Sequence, residues 1–363
     1  MSTADHAVVL EGVTKLFGDT LAVHQVSLDV AKGEFVAILG PSGCGKTTTL
    51  RIVAGFERPT QGQVFIHGRD VTDVPAHRRN IGMVFQNYAL FPHLDVFENI
   101  AFGLRERSVP GQEIAERVRG TLELVRLPGF EKRRPGQLSG GEQQRVALAR
   151  ALVVEPIVML MDEPLGALDR KLREEMQLEL KELVRRLKLT SIFVTHDQDE
   201  ALAMADRVAV MHRGRLEQVD APEAIYETPR SVFCASFLGL SNIFDGTLAN
   251  EDSDRVTLTT PSGLRLACLP PEASGAPAVL MIRPEKVLLA GEEMQGENCF
   301  RGKMVSLKYL GATVEYHVTL AGGERLVARQ QQSTGGLAPF RPGEQVTIQL
   351  PPASLRWLRA QPL

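Results

Sequence analysis

EFVAILGPSGCGKTT, residues 34–48, is the stretch that decides the fold. Its first half is a run of apolar residues, the composition of a strand buried on both faces of a parallel sheet. Its second half fits G-x-x-x-x-G-K-[ST] at Gly40, Gly45, Lys46 and Thr47, and TTTLRIVAG after it reads as a helix. Gly40, Gly43 and Gly45 let backbone N–H groups turn inward around phosphates, and the helix start adds partial positive charge. Pro41, Ser42, Cys44 and Thr48 complete the cradle. Lys46 can reach the β- and γ-phosphates, and the Thr47 hydroxyl can ligate Mg²⁺. A ligand-free turn would need none of this chemistry together. Cys44 at a helix start could have a lowered thiol pKa and so be redox-sensitive, although a small residue that simply fits is the plainer reading.

Two more buried-strand runs follow, IVMLMDE (157–163) and SIFVTH (191–196). Between them DRKLREEMQLELKELVRRLK (169–188) places Leu172, Met176, Leu180, Leu183, Val184 and Leu187 on one face of a long amphipathic helix. Strand–helix–strand units of this kind predict an α/β core. The opening VVLEGVTKLFGDTLAVHQVSLDV alternates instead, as an antiparallel sheet with one wet face does. Residues 87–150 carry helical spacing, for example Ile114, Val118, Leu122 and Val125, and read as a helical insertion. After about residue 240 short β-type runs such as RVTLTT, TVEYHVTL and QVTIQL alternate with Gly, Pro and Ser, which predicts a small all-β barrel or sandwich. The expected division is therefore 1–240 and 241–363.

The bulk numbers agree with two globular domains. The chain has 363 residues, 44% hydrophobic and 23% charged, and a net charge of −3 gives no global reason to expect nucleic acid or an anionic membrane. No apolar run approaches the ~20 residues of a membrane span, and MSTADHAVVL does not read as a secretory leader. The cysteines Cys44, Cys234, Cys268 and Cys299 lack paired spacing, which fits reduced thiols and opposes a zinc site.

The run IVMLMDE ends on Asp162 and Glu163. Beside a phosphate loop, Asp162 suits the acidic group that holds Mg²⁺, and Glu163 suits a base that orients and deprotonates water. A solvated charge pair is the ordinary reading of a lone Asp-Glu, but here it ends an apolar run. LSGGEQQRVALARAL (138–152) then looks like a second anion-binding helix start at Ser139, Gly140 and Gly141. Ser139 also reads as a plain N-cap, and the two readings are compatible.

Together these stretches resemble the ATP-binding subunits of ABC transporters. The phosphate loop, VFQN (84–87), the LSGGEQQRVALARAL signature, the Asp162–Glu163 strand, LGALD (165–169) and VTHD (194–197) occur in the family's order and spacing, over roughly residues 1–230. The resemblance implies a P-loop ABC ATPase fold, with a mixed-sheet core, an antiparallel β subdomain and a helical subdomain, binding ATP and Mg²⁺. It implies a head-to-tail homodimer in which each ATP lies between one copy's loop and the other's signature, so the second cradle serves the partner's nucleotide. By position, Gln86 would contact Mg²⁺ or the attacking water, His196 would bond the γ-phosphate, and Asp169 would cross the dimer interface. A lone histidine at a strand end is otherwise usually structural. Gly166 stands where many members have Ser. Phe17 sits where the family places an aromatic that stacks on adenine, a position that would also suit a core residue of the first sheet.

The C-terminal part resembles the OB-like (TOBE) regulatory domain of bacterial importer ATPases, on MIRPEKVLLA (281–290). The layout and LFPHLDVFENIAFGL look most like the polyamine (spermidine/putrescine) branch, with iron(III), sugar and phosphonate importers as alternatives. Two transmembrane permease subunits would be partners, docked about Tyr88 to Leu94, with an extracytoplasmic solute-binding protein engaged indirectly and no nucleic acid. The protein would lie on the cytoplasmic face of the inner membrane. The rival class, a soluble ABC ATPase acting on DNA or ribosomes, usually carries a long coiled coil or a second ATPase domain, and neither is seen here. A non-catalytic nucleotide sensor would not need Glu163 and His196, and a simple phosphate-loop kinase would have no use for the signature.

Overall fold

The computed structural model describes residues 6–166, 168–252, 255–270, 278–292, 294–332 and 340–359. Ala167 of LGALD and the first five residues of the N-terminal stretch lie outside them. The chain divides into two units, Met1–Glu223 and Ala224–Leu363.

The strands of the first unit are β1 (His6–Phe17), β2 (Thr20–Ala31), β3 (Phe35–Leu39), β4 (Gln61–Ile66), β5 (Arg69–Asp70), β6 (Ile81–Val84), β7 (Val158–Asp162), β8 (Ser191–Thr195), β9 (Arg207–His212) and β10 (Arg215–Asp220). Its helices are α1 (Lys46–Ala54), α2 (Val96–Glu106), α3 (Gly111–Leu124), α4 (Gly140–Leu152), α5 (Arg170–Leu187) and α6 (Gln198–Met204). One sheet has the order β2-β1-β4-β5 and pairs antiparallel. The other has the order β10-β9-β3-β8-β7-β6, parallel except at the β10 edge. β3, β7 and β8 are buried at every residue, as their unbroken apolar runs predict. Their side chains join those of β1, β2 and α1 in one core.

The insertion is helical as expected. Ile114, Val118 and Leu122 form the buried stripe of α3, and Val125 just beyond it is also buried. On α5 the buried stripe is Met176, Leu180, Leu183 and Val184, whereas Leu187 is exposed. The helix ends there, capped by Lys188 in the left-handed conformation.

Among the described residues the second unit holds two five-stranded antiparallel sheets. One runs Arg265–Cys268, Arg255–Thr259, Asn242–Asp252, Ala278–Ile282, Arg356–Leu358 across, and the other Leu288–Ala290, Gln345–Gln349, Cys299–Tyr309, Thr313–Leu320, Arg325–Gln331. Their inner faces share one apolar core. The short helices α7 (Pro222–Glu227) and α8 (Val232–Phe237) lead into it. Fully buried Arg283 donates to the carbonyls of Tyr226 and Ala235, which explains why the compact division falls at 223/224 rather than near 240. Among the described residues no helix is long and apolar enough to cross a membrane.

Candidate active site

The parallel strands all point their carboxyl ends the same way, and in such sheets ligands bind at those ends. The phosphate loop follows β3, Gln86 follows β6, Asp162 closes β7 and His196 follows β8. Residues as far apart in sequence as 40 and 196 thus meet along one edge.

The loop itself is held by backbone shape. Gly45 has φ +106°, and a Cβ there would lie 2.4 Å from the Ala22 carbonyl oxygen. A Cβ on Gly40 would lie 2.3 Å from the Met211 carbonyl oxygen. Neither position accepts a side chain. Gly45 also caps α1 without any side-chain acceptor, and the first turn of α1 has no acidic residue. In contrast α2, α4, α5 and α6 are each capped by a side chain, from Asp95, Ser139, Asp169 and Asp197. The start of α1 therefore keeps its N–H groups and its dipole free for an anion. Lys46 is buried and donates to the carbonyls of Gly40 (2.8 Å) and Pro41 (3.0 Å). No carboxylate pairs with it among the described residues. A buried ammonium with a third donor to spare and no counter-ion fits a phosphate.

The donor set also fits Mg²⁺. The Thr47 hydroxyl donates to Asp162 Oδ1 at 3.0 Å, so two oxygen ligands of the kind Mg²⁺ prefers already converge beside the loop. Burial pushes the Asp162 carboxyl up, the Thr47 hydrogen bond pulls it down, and the neighbouring Glu163 charge pushes it up again. A bound cation would oppose the net rise and favour the ionised form.

Glu163 has φ +45°, an uncommon conformation for a residue other than glycine, while its N–H still reaches the Val194 carbonyl at 2.9 Å. The bend takes the side chain out of the sheet. Gln86 Nε2 then donates to Glu163 Oε2 at 3.0 Å, and His196 Nδ1 lies 3.1 Å from Oε1. One carboxylate thus has a neighbour at each oxygen, a hydrogen bond from Gln86 at one and the imidazole of His196 at the other. Gln86 and His196 are themselves exposed, on the side where a substrate would enter.

Ser139, Gly140, Gly141 and Asp169 form a separate group. Ser139 caps α4, and its N–H (2.7 Å) and hydroxyl (2.8 Å) both donate to Glu142 Oε2 in a capping box. Gly140 and Gly141 pack under Leu168 and Leu172, which flank Asp169. Among the described residues no hydrogen bond or ion pair joins this group to loop 40–48. Phe17 is 46% exposed at the β1–β2 hairpin, with the Lys15 ammonium 4.7 Å from its ring centre, so it is not the core residue its pattern allowed. Cys44 is buried, and burial pushes its thiol up, which disfavours the reactive thiolate and argues against redox sensitivity. None of the four cysteines forms a disulfide among the described residues.

Tyr88 is buried and lies at φ +59°, so it cannot present its ring to a partner. The surface beside it is a groove of about 880 Å³ lined by Phe56, Phe85, Ala89, Phe91, Phe102 and Arg150, among others. Arg150 is a further residue of this surface, one to which the sequence motifs assign no role. It donates to the carbonyls of Tyr88 (2.9 Å) and Ala89 (2.7 Å) and so fixes the backbone just after Gln86. Its only sequence signal is a lone charge inside the apolar run VALARAL.

Residues 23–166 match the ABC transporter family, and residues 280–358 match the TOBE domain. The chain is 52% identical to the spermidine/putrescine import ATP-binding protein PotA of Rubrobacter xylanophilus, covering 94% of this chain and 91% of the relative. It is 46% identical to the PotA of Roseobacter denitrificans, covering 97% and 98%. Among solved structures it is similar to MJ0796, a bacterial ABC transporter cassette seen as a dimer, with a TM-score of 0.54, 36% identity and coverage of 59% and 98%. It is also similar to cbiO1 of Clostridium perfringens, part of an ABC transporter complex, with a TM-score of 0.56, 30% identity and coverage of 61% and 90%.

Proposed function

This chain belongs to the ATP-binding subunits of ABC transporters, and from that membership we propose that it powers import of polyamines of the spermidine and putrescine class. The chain is an ATPase whose hydrolysis drives solute import. The observation that carries the chemistry is Glu163, held at both carboxylate oxygens by Gln86 and His196 beside the phosphate loop. Lys46 and the α1 N–H groups bind the phosphates of ATP. Thr47, Asp162 and Gln86 would hold Mg²⁺, which when bound neutralises charge on the phosphate oxygens. Glu163 accepts the proton of the attacking water at its carboxylate, and Gln86 and His196 keep that carboxylate aimed. Phe17, exposed at the hairpin, stacks on the adenine.

Two copies pair head to tail, so that Ser139, Gly140, Gly141 and Asp169 of each complete the other's site. Two permease subunits of the inner membrane dock on the cytoplasmic side, in the groove of Phe56, Phe85, Phe91 and Phe102. The groove adjoins the segment after Gln86, which supports a mechanical link from permease to base.

The test is purification of the Glu163→Gln protein with ATP from its native membranes. Two multi-span permease proteins should accompany it, and proteoliposomes of the wild-type complex should take up labelled spermidine when given ATP. Ribosomes, DNA or no membrane protein in the eluate would overturn the importer reading, and uptake of another solute alone would overturn the polyamine assignment.

The capping box gives a smaller prediction. Glu142 holds the Ser139 hydroxyl and places a negative charge at the start of α4, and these hydrogen bonds keep its carboxyl below the usual range. Gln at this position can still cap but carries no charge. Glu142→Gln should lower the ATP concentration for half-maximal hydrolysis about two- to fivefold, the scale of one charge at a helix terminus. Steady-state ATPase titration checks this, and an unchanged or raised value would refute it.

A further inference from the structure

Arg173 lies one turn into α5, just past the helix cap that Asp169 forms by accepting from Leu172 N–H at 3.1 Å. Its guanidinium reaches three places. Nη2 donates to the Leu168 carbonyl at 3.0 Å, Nη1 donates to Asp197 Oδ2 at 3.3 Å, and Nε lies 3.7 Å from Glu200 Oε1. Glu200 is buried and accepts from the Thr195 hydroxyl at 2.7 Å, and that hydroxyl accepts from Asp197 N–H at 2.9 Å. His196 is therefore bracketed on both sides by residues of this network. Leu168, at the other end, packs against Gly140 and precedes Asp169.

We propose that Arg173 is a positioning residue that ties the loop before α5 to the loop carrying His196, so that seating of a second copy against Asp169 is passed to the imidazole that already lies beside Glu163 and holds it there. The inference rests on the reading above, in which Asp169 and the signature face the second copy. A planar guanidinium suits the task because its donors diverge in fixed directions, whereas lysine supplies one mobile point charge. The link is short: one side chain spans Leu168 and Asp197, so a shift of either loop is felt at the other. His196 does not touch Arg173, and the effect is exerted through the backbone on either side of it.

The test uses the full-length protein with Arg173→Lys, and with Arg173→Met combined with Glu200→Gln so that no buried carboxylate is stranded. Three quantities are read: binding of a fluorescent ATP analogue to the monomer, formation of the ATP-bound dimer in a Glu163→Gln background, and kcat. Both variants should keep analogue affinity within about twofold and still form the dimer, yet lose about 10- to 100-fold in kcat, the scale of a misplaced catalytic group. Wild-type kcat in either variant would overturn the proposal. So would parallel loss of binding, dimer and melting temperature, the mark of a merely structural arginine. Absence of ATPase activity in the unmodified protein would instead remove the function reading itself, and the proposal with it.

Discussion

Glu163→Gln is expected to hydrolyse ATP about 100- to 10,000-fold more slowly than the wild type while trapping ATP in a stable dimer. At about 1.4 kcal/mol per tenfold, that range is roughly 3–5 kcal/mol of lost barrier reduction. The substitution is nearly isosteric. An amide oxygen can still accept from Gln86, and the Glu163 N–H to Val194 bond belongs to the backbone and is untouched. What disappears is the group proposed to take the proton from water. Nothing in the phosphate loop changes, so nucleotide should remain bound with Lys46 and the start of α1 intact. The loss of one negative charge beside the γ-phosphate also favours the closed dimer. Phosphate release measures the rate, and size-exclusion chromatography with ATP measures the dimer. A variant turning over near the wild-type rate would sink the assignment of Glu163 as base, and the assignment would pass to another group near the loop.

Ser139→Arg should abolish measurable hydrolysis, by at least about 100-fold, while the monomer binds ATP nearly as well as the wild type. Ser139 is exposed at the start of α4 and has no bond to loop 40–48 within the described residues of its own chain. A bulky side chain there obstructs whatever approaches α4 from outside. In a head-to-tail pair that is the partner's nucleotide. The variant also loses a helix cap, worth about 1 kcal/mol, so Ser139→Ala is the control for folding. It should share the small loss in melting temperature and keep far more activity. Equilibrium binding of a fluorescent ATP analogue at low protein concentration isolates the monomer. Loss of that binding would place the signature beside its own chain's nucleotide and defeat the shared-site arrangement.

Much of the chemistry was legible in the residues alone because its causes are local. The loop 40–48 needs glycine where a Cβ would strike the Ala22 or Met211 carbonyls, and it leaves the start of α1 uncapped. Both traits are written in consecutive residues. The buried strands β3, β7 and β8 announce themselves by unbroken apolar runs, and the acidic pair by its place at the end of one.

Other features depended on which strands lie side by side. Gln86 and Glu163 meet across a gap of 77 positions because β6 pairs with β7, and His196 reaches Glu163 because β7 pairs with β8. No local pattern carries that order. Tyr88 reads as part of a docking surface because its neighbours are aromatic, yet its side chain is buried. Arg150 acts on main-chain carbonyls of a distant loop, and a carbonyl has no residue identity to read, while Arg173 joins the Leu168 carbonyl to the carboxylate of Asp197 in another loop. Leu187 keeps the helical spacing of the α5 stripe yet lies exposed as the last residue of the helix. Side-chain types thus determined which groups could bind phosphate, hold Mg²⁺ or take a proton. The pairing of parallel strands decided which of them could do so together, because non-local hydrogen bonding, not sequence distance, sets their separation in space.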